Sequence, residues 1–193
     1  MFVRHGATGI QGRFIGRSDP PLRQDAVEQL VPLARRLCSL NPDYVFCSPA
    51  LRARETRDAL LDGLELPGTV LDELSEIDFG EWENKTLDAV KREAGDTANA
   101  WFAGDTSFGF PGGESVAAFA ERVGRAVAEV LAGRAMRPLI CTHGGVIRFA
   151  ICRLLELPPD RHWCFWVDSP SLTTVHFENG RGCLMELNYR GDR

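Results

Sequence analysis

The sequence predicts an α/β fold, a three-layer α/β/α sandwich in which helices cover both faces of a mostly parallel central sheet. Short apolar runs alternate with amphipathic segments along the whole chain, which is typical of this class. The length of 193 residues and the hydrophobic fraction of 44% suit one well-buried core. No stretch rich in Ser, Gly, Pro or charge is long enough to link two domains, so we expect one domain spanning residues 1–193.

Six short segments are predicted to be strands because they are apolar and several are bounded by Pro, Gly or Asn. The last two flank Asn179-Gly180, a dipeptide that indicates a tight hairpin turn. The predicted strands are residues 1–4, 43–47, 69–71, 137–142, 173–177 and 183–187.

Four segments are predicted to be helices, at residues 27–40, 51–64, 115–131 and 145–155. The first carries apolar side chains at helical spacing, among them Val27, Leu30 and Leu37. Glycine or proline near the ends of the others indicates where they begin and stop, as Pro158-Pro159 does after the last helix.

The composition narrows the classes of partner. A net charge of -5 and a pI near 5.4 do not provide the basic surface that nucleic acid or an anionic membrane requires. No apolar run reaches the length of a membrane span, and the first residues lack a signal-peptide pattern, so we expect a cytoplasmic protein. The sequence leaves the oligomeric state open, and a homodimer is one compatible arrangement.

The six cysteines contain no Cys-x-x-Cys pair and mostly lie in apolar stretches. This spacing favours buried, reduced thiols over disulfides or a metal site.

Polar residues follow three of the predicted strands directly. Arg4-His5, Ser48 and His143 each come just after a strand, and parallel strands bring their carboxyl ends to one edge of a sheet. Two imidazoles, two guanidiniums and one carboxyl, from His5, His143, Arg4, Arg52 and Glu76, are sufficient to move a phosphoryl group through a covalent histidine intermediate.

Each predicted phosphate ligand has a separate chemical reason. A neutral His5 can attack phosphorus, while Arg4 and Arg52 can donate to the equatorial oxygens. His143 supplies a further donor, and Gly144 opens a helix whose free N–H groups favour an anion. Because this much positive charge can replace a metal ion, we expect neither a metal nor a cofactor.

Glu76 is the predicted proton donor to the leaving oxygen and later the base that activates water. It lies in a stretch crowded with carboxylates, most of which we expect to be solvated. Glu73, Asp78 and Glu81 are the alternatives for the acid.

The ordered motifs resemble the histidine phosphatases of the phosphoglycerate mutase-like superfamily over nearly the whole chain. They are Arg4-His5-Gly6-Ala7-Thr8, Gly16-Arg-Ser-Asp19, Ser48-Pro-Ala-Leu-Arg52, Phe79-Gly-Glu-Trp-Glu83, Pro111-Gly-Gly-Glu-Ser115 and Thr142-His143-Gly144-Gly145. The resemblance implies a phosphoglycerate mutase-like fold and a metal-independent phosphoric monoester hydrolase. It implies His5 as the phosphorylated nucleophile and Glu76 as the proton donor, with Arg4, Arg52 and His143 as the phosphate pocket.

Within that superfamily the chain looks most similar to the α-ribazole-5′-phosphate phosphatases of cobalamin biosynthesis. The similarity lies in residues 79–83, a following helix to Trp101, residues 113–123 and the tail 162–168. A ring-bearing substrate would suit an aromatic wall, for which Trp101 and Phe108 are the candidates together with Phe110. Gln11 stands where the family commonly has Asn, so it is a further candidate for substrate contact.

Three other functions remain open at this point. A broad-specificity sugar-phosphate phosphatase would use the same site, as would a phosphoglycerate mutase, although mutases carry extra segments that exclude water. A binding protein that has lost catalysis is an alternative from another class. His162 and His176 lie outside the motifs, and we expect both to be structural.

Overall fold

The computed structural model describes residues 1–191, and that part of the chain contains one strand in each of the six predicted segments. The strands are β1 (Phe2–Arg4), β2 (Tyr44–Cys47), β3 (Gly68–Val70), β4 (Pro138–Thr142), β5 (Ser171–Glu178) and β6 (Arg181–Tyr189). Their order in the sheet is β3-β2-β4-β1-β5-β6. The first four are parallel, whereas β5 and β6 form an antiparallel hairpin beside β1. The predicted mostly parallel sheet is therefore confirmed.

The turn between β5 and β6 lies at Asn179-Gly180, as the sequence predicted. Asn179 and Gly180 have φ values of 52° and 79°, the left-handed backbone that a two-residue turn between twisted strands requires.

Six α-helices connect or follow the strands in the part of the chain that the structure describes. They are α1 (Ala26–Leu40), α2 (Leu51–Leu60), α3 (Leu87–Ala94), α4 (Asp96–Phe102), α5 (Val116–Ala132) and α6 (Gly144–Leu154). The prediction for α2 was four residues too long, because the chain leaves the helix at Leu61 before the left-handed Gly63. The helix implied up to Trp101 is two helices, since Gly95 between them has a φ of 51°.

Side-chain caps fix the start of two helices that frame the site. Thr86 accepts a hydrogen bond from the amide of Ala89 at the start of α3, and Ser115 accepts one from Ala118 at the start of α5. Each hydroxyl satisfies an amide that has no partner within the helix.

The core has two layers, one on each face of the sheet. Val3 and Leu139 pack with Leu33 of α1 on one face. Phe2 and Ile140, their neighbours in the strands, pack on the other face with residues of α5 and α6. Alternate strand residues point to opposite faces, so this division confirms the three-layer sandwich. The predicted helix at residues 27–40 is confirmed as α1, in which Leu30, Leu33 and Leu37 are buried while Val27 and Val31 lie on the solvent side.

The cysteine prediction is confirmed for half of the residues. Cys47, Cys141 and Cys152 are buried, whereas Cys38, Cys164 and Cys183 are exposed. All six are free thiols. Among residues 1–191, no helix has both the length and the apolarity that a membrane crossing needs.

Candidate active site

The candidate site is a cavity of about 590 Å³ at the carboxyl end of the parallel strands. Arg4 and His5 enter it from β1, Arg52 from the start of α2, and Gly144 from the start of α6. This volume lies within the usual range for small-molecule sites.

His5 is held as a neutral imidazole whose Nε2 carries no hydrogen. Its Nδ1 lies 2.8 Å from the carbonyl oxygen of Gly6, which can only accept, so Nδ1 carries the hydrogen. Its Nε2 therefore has a lone pair and accepts from Nε of Arg52 at 3.3 Å. Burial lowers the pKa of His5 to about 3, and the positive charges of Arg52 and Arg4 act in the same direction.

Arg52 is a fully buried guanidinium whose outer nitrogens bind a loop rather than solvent. Its Nη1 donates to the carbonyl oxygen of Ser18 at 2.8 Å, and its Nη2 donates to that of Gly16 at 3.0 Å. The Asp19 carboxylate lies 3.4 Å from Nη1. These contacts fix the guanidinium so that Nε faces His5.

Glu83 holds this loop in place. Its carboxylate accepts from the backbone amides of Gly16, Arg17 and Ser18 and from the Ser18 hydroxyl. A charged acceptor bound to four donors is a strong local constraint. The carbonyl groups that bind Arg52 are therefore positioned indirectly by Glu83.

His143 is completely buried behind His5, with ring centroids 5.1 Å apart. Its Nε2 lies 2.8 Å from Oγ of Ser48, which also accepts from the amide of Ala50 at 3.3 Å. The Ser48 hydroxyl can donate to an unprotonated Nε2, which puts the hydrogen of a neutral His143 on Nδ1, or accept from a protonated Nε2 in the other tautomer. That Nδ1 is buried and has no partner among the described residues. Burial and then the nearby positive groups lower the pKa of His143 well below its usual value.

Arg4 lies at the opposite side of the cavity from the loop that binds Arg52. Its Nη1 donates to the carbonyl oxygen of Val167, while its buried Nε has no partner among the described residues. A Cβ on Gly144 would lie only 3.3 Å from the Arg4 guanidinium, so glycine permits this close approach. Burial lowers the pKa of Arg4, and the Glu76 carboxylate opposes that shift.

Glu76 rests on the N-terminus of α6. Its two carboxylate oxygens accept from the amides of Ile77 and Gly145, each at 3.0 Å. Among the acidic residues of the described chain, Glu76 is the one that lines the cavity. Asp78 instead accepts from the amide of Gly80 and faces Arg17.

The predicted substrate contacts divide into two groups. Gln11 and Trp101 line the cavity. Phe108 does not, and that expectation is corrected: its ring is 6% exposed and packs against Trp82, Trp101 and Phe110 in the core. Phe110 is buried in the same cluster.

Several residues that line the cavity were not predicted from the sequence as substrate contacts. The aromatic wall continues through Phe102, Trp163 and Trp166, and a further arginine, Arg148, lies beside it. Arg148 follows Gly144 by four residues on α6, so helical spacing was the signal that could have revealed it.

The two histidines outside the motifs differ in their surroundings. His162 is buried and stacks on Phe149 at 4.4 Å, with Nδ1 bound to the carbonyl oxygen of Pro159, and its ring also reaches the cavity. His176 is exposed and lies 3.6 Å from Glu178. Among the described residues no group of three His, Cys, Asp or Glu side chains could hold a metal ion.

Comparison with known proteins gives concordant matches. The family model described as "Histidine phosphatase superfamily (branch 1)" matches residues 1–190. Adenosylcobalamin/alpha-ribazole phosphatase of Escherichia coli strain K12 is 31% identical over 192 residues, covering 97% of this chain and 94% of that protein. Phosphoserine phosphatase 1 of Hydrogenobacter thermophilus is 27% identical, covering 97% and 90%.

Among solved structures, the alpha-ribazole phosphatase from Shigella flexneri superposes with a TM-score of 0.89 at 30% identity. The superposition covers 98% of this chain and 96% of that one. The family match and the superposition both extend over nearly the full chain and agree with the predicted phosphoglycerate mutase-like fold. The chain therefore belongs to the histidine phosphatase superfamily, branch 1, and is a phosphoric monoester hydrolase of that superfamily.

Proposed function

We propose that this chain hydrolyses α-ribazole 5′-phosphate in cobalamin biosynthesis, through a phosphohistidine at His5. The observation that carries the proposed chemistry is the fixed, neutral His5, whose unprotonated Nε2 accepts from Arg52 in a cavity where Glu76 is the one acid among the described lining residues. A small phosphate monoester is the partner, and the cytoplasm is the compartment that we expect.

In the first step, Nε2 of His5 attacks phosphorus and the bond from phosphorus to the leaving oxygen breaks. Nε of Arg52, Nε of Arg4 and Nδ1 of His143 are the donors that meet the phosphoryl oxygens. The last two lack partners among the described residues. Arg4 lines the cavity, whereas His143 lies behind His5 and is not among the described residues that line it. Glu76 gives its proton to the leaving alkoxide.

In the second step, Glu76 takes a proton from water, and the resulting nucleophile attacks phosphorus. The bond from phosphorus to Nε2 breaks, inorganic phosphate leaves, and His5 returns to its neutral form. The hydrogen bond from Nδ1 to the carbonyl of Gly6 lasts through both steps and keeps the ring aimed at phosphorus.

The aromatic wall supports a leaving group that carries a ring. Trp101, Phe102, Trp163 and Trp166 line the side of the cavity away from the sheet, and a benzimidazole nucleoside offers a flat apolar surface to such side chains. Relatives named as alpha-ribazole phosphatases, which match over nearly the whole chain, support the same choice.

The test is kcat/KM for α-ribazole 5′-phosphate beside sugar phosphates, O-phosphoserine and phosphoglycerates, with His5→Ala as the control. A preference of about a hundredfold, equivalent to about 2.7 kcal/mol of transition-state binding, would support the substrate. Equal rates across the panel would replace it with a broad-specificity phosphatase. Transfer between the positions of a phosphoglycerate with little phosphate release would make the chain a mutase. Phosphate release unchanged in His5→Ala would refute the phosphohistidine mechanism.

A further inference from the structure

Arg148 is a guanidinium in the cavity for which the proposed mechanism has no use. It is half-buried, lines the cavity, and makes no hydrogen bond or ion pair to any residue in the described part of the chain. A buried N–H donor without a hydrogen-bond partner, such as Nε of Arg148, is costly unless a ligand supplies an acceptor. Its burial therefore points to a role in binding.

The position of Arg148 on α6 places it beyond the phosphoryl group. Gly144 and Gly145 begin the helix, and Arg148 follows them by about one turn on the same face. Helical side chains lean toward the N-terminus, so the guanidinium reaches back toward Glu76. The Glu76 carboxylate accordingly opposes the lowering of the Arg148 pKa that burial causes. Arg148 also contacts Trp163 and Trp166 of the aromatic wall. Because the leaving group is proposed to pack on that wall, we infer that Arg148 lies on the side of the leaving alcohol.

Two indole rings hold this guanidinium. Its central carbon lies 5.3 Å from the ring centroid of Trp163 and 5.6 Å from that of Trp166. Cation–π contacts of this kind fix the guanidinium but use none of its five N–H donors. The donors remain available in the plane of the group, which suits a pair of acceptor oxygens.

We propose that Arg148 is a specificity-determining residue that binds a pair of acceptor oxygens on the leaving alcohol, and this proposal rests on the phosphatase function. The pair is either a carboxylate or two neighbouring hydroxyl groups such as the 2′- and 3′-hydroxyls of a ribosyl group. Both present two oxygens at a spacing that a planar fork can bridge.

The experiment compares Arg148→Met with the wild-type chain on two matched pairs of substrates. Phosphoglycolate and ethyl phosphate differ by a carboxylate, whereas ribose 5-phosphate and 2-deoxyribose 5-phosphate differ by one hydroxyl of a neighbouring pair. Arg153→Met is the control, because Arg153 lies on the same helix but is exposed and outside the cavity. Thermal unfolding of each variant separates a folding defect from a binding defect.

We expect Arg148→Met to lower kcat/KM about tenfold or more on the oxygen-bearing member of one pair, and less than about threefold on its partner. A loss confined to phosphoglycolate identifies a carboxylate, and a loss confined to ribose 5-phosphate identifies a diol. An equal loss on all four substrates, or no loss on any, would overturn the proposal. Wild-type activity on α-ribazole 5′-phosphate tests the proposed substrate separately, because it does not depend on this variant.

Discussion

Gly145→Ala is expected to abolish most activity while leaving the fold at least as stable. A Cβ at this position would lie 2.3 Å from Oε1 of Glu76, whereas ordinary contacts begin at 3.4 Å, so the carboxylate must move by about 1.1 Å. The Glu76 carboxylate is the end of a flexible side chain, so it can move without disturbing the backbone. The hydrogen bond from the amide of Gly145 to Oε2, at 3.0 Å, is then distorted or lost.

A displacement of this size at a proton donor costs roughly a hundredfold in kcat, or about 2.7 kcal/mol. Alanine is better than glycine within a helix by up to about 1 kcal/mol, and Gly145 has no positive φ that would oppose the change. We therefore expect a kcat near one hundredth of wild type and an unfolding midpoint that is equal or higher.

Gly124→Ala is the matched control, because Gly124 lies within α5 and a Cβ there would meet nothing within 4 Å. It should gain a similar stability and keep full activity. Steady-state kinetics and urea unfolding of both variants complete the test. If Gly145→Ala retained kcat within about threefold of wild type, the placement of Glu76 on α6 would not matter for catalysis and the assigned acid would be wrong.

Four further predictions concern the groups around His5. The pKa of His5 is lowered from 6.5 to about 3 in the folded chain. Between these pH values the unfolded chain binds a proton at His5 and the folded chain does not, so the free energy of unfolding should fall as pH drops from 6.5 to about 3. Between pH 7.5 and 5, the free energy of unfolding measured with urea should fall by up to about 2 kcal/mol less in His5→Gln than in the wild type. An equal fall in both proteins would contradict the lowered pKa of His5. Glu83→Gln should lower kcat/KM by roughly tenfold to a hundredfold, because an amide cannot accept from all the donors that hold the loop around Arg52; kinetics equal to wild type would show that the loop keeps its shape without the charge. Ser48→Ala should cost about tenfold in kcat, since Nε2 of His143 loses its hydrogen-bond partner, and Ser48→Thr should restore part of the rate, whereas equal rates in both variants would argue against a role of this hydrogen bond in positioning His143. Activity should survive excess EDTA, and a complete loss that added metal reverses would refute the metal-free mechanism.

The sequence predicted the strand positions, and it predicted that Arg4, His5 and Arg52 meet at one cavity, because both depend on local patterns. Short apolar runs ended at Arg4, Cys47 and Thr142 in the structure as they did in the prediction, so the polar residues that follow them meet at one edge. Parallel pairing of β1, β2 and β4 then brings together residues that lie far apart in the chain.

The aromatic wall and the position of Arg148 depend on tertiary packing, which local sequence patterns do not encode. Phe108 and Trp101 are both buried aromatic residues of the core near the same glycine-rich segment, yet only Trp101 also lines the cavity. Only the packing of the α4 region against the Pro159–Cys164 turn separates them, as the contact of Trp101 with Trp163 shows. Arg148 looked like an ordinary helical arginine because its aromatic partners lie more than ten residues away in the chain.

The aromatic wall and the phosphate ligands are contributed by separate parts of the chain. The residues proposed to bind phosphate lie at the ends of strands of the central sheet and at the starts of the helices that follow them, whereas Trp101, Phe102, Trp163 and Trp166 come from segments outside the sheet. We expect mutations in those outer segments to change what the cavity accepts without moving His5. Natural selection can therefore redirect such a chain to a new metabolite in small steps, each of which keeps a working phosphatase. A laboratory library confined to these four positions should evolve new substrate preferences faster than one spread over the whole gene.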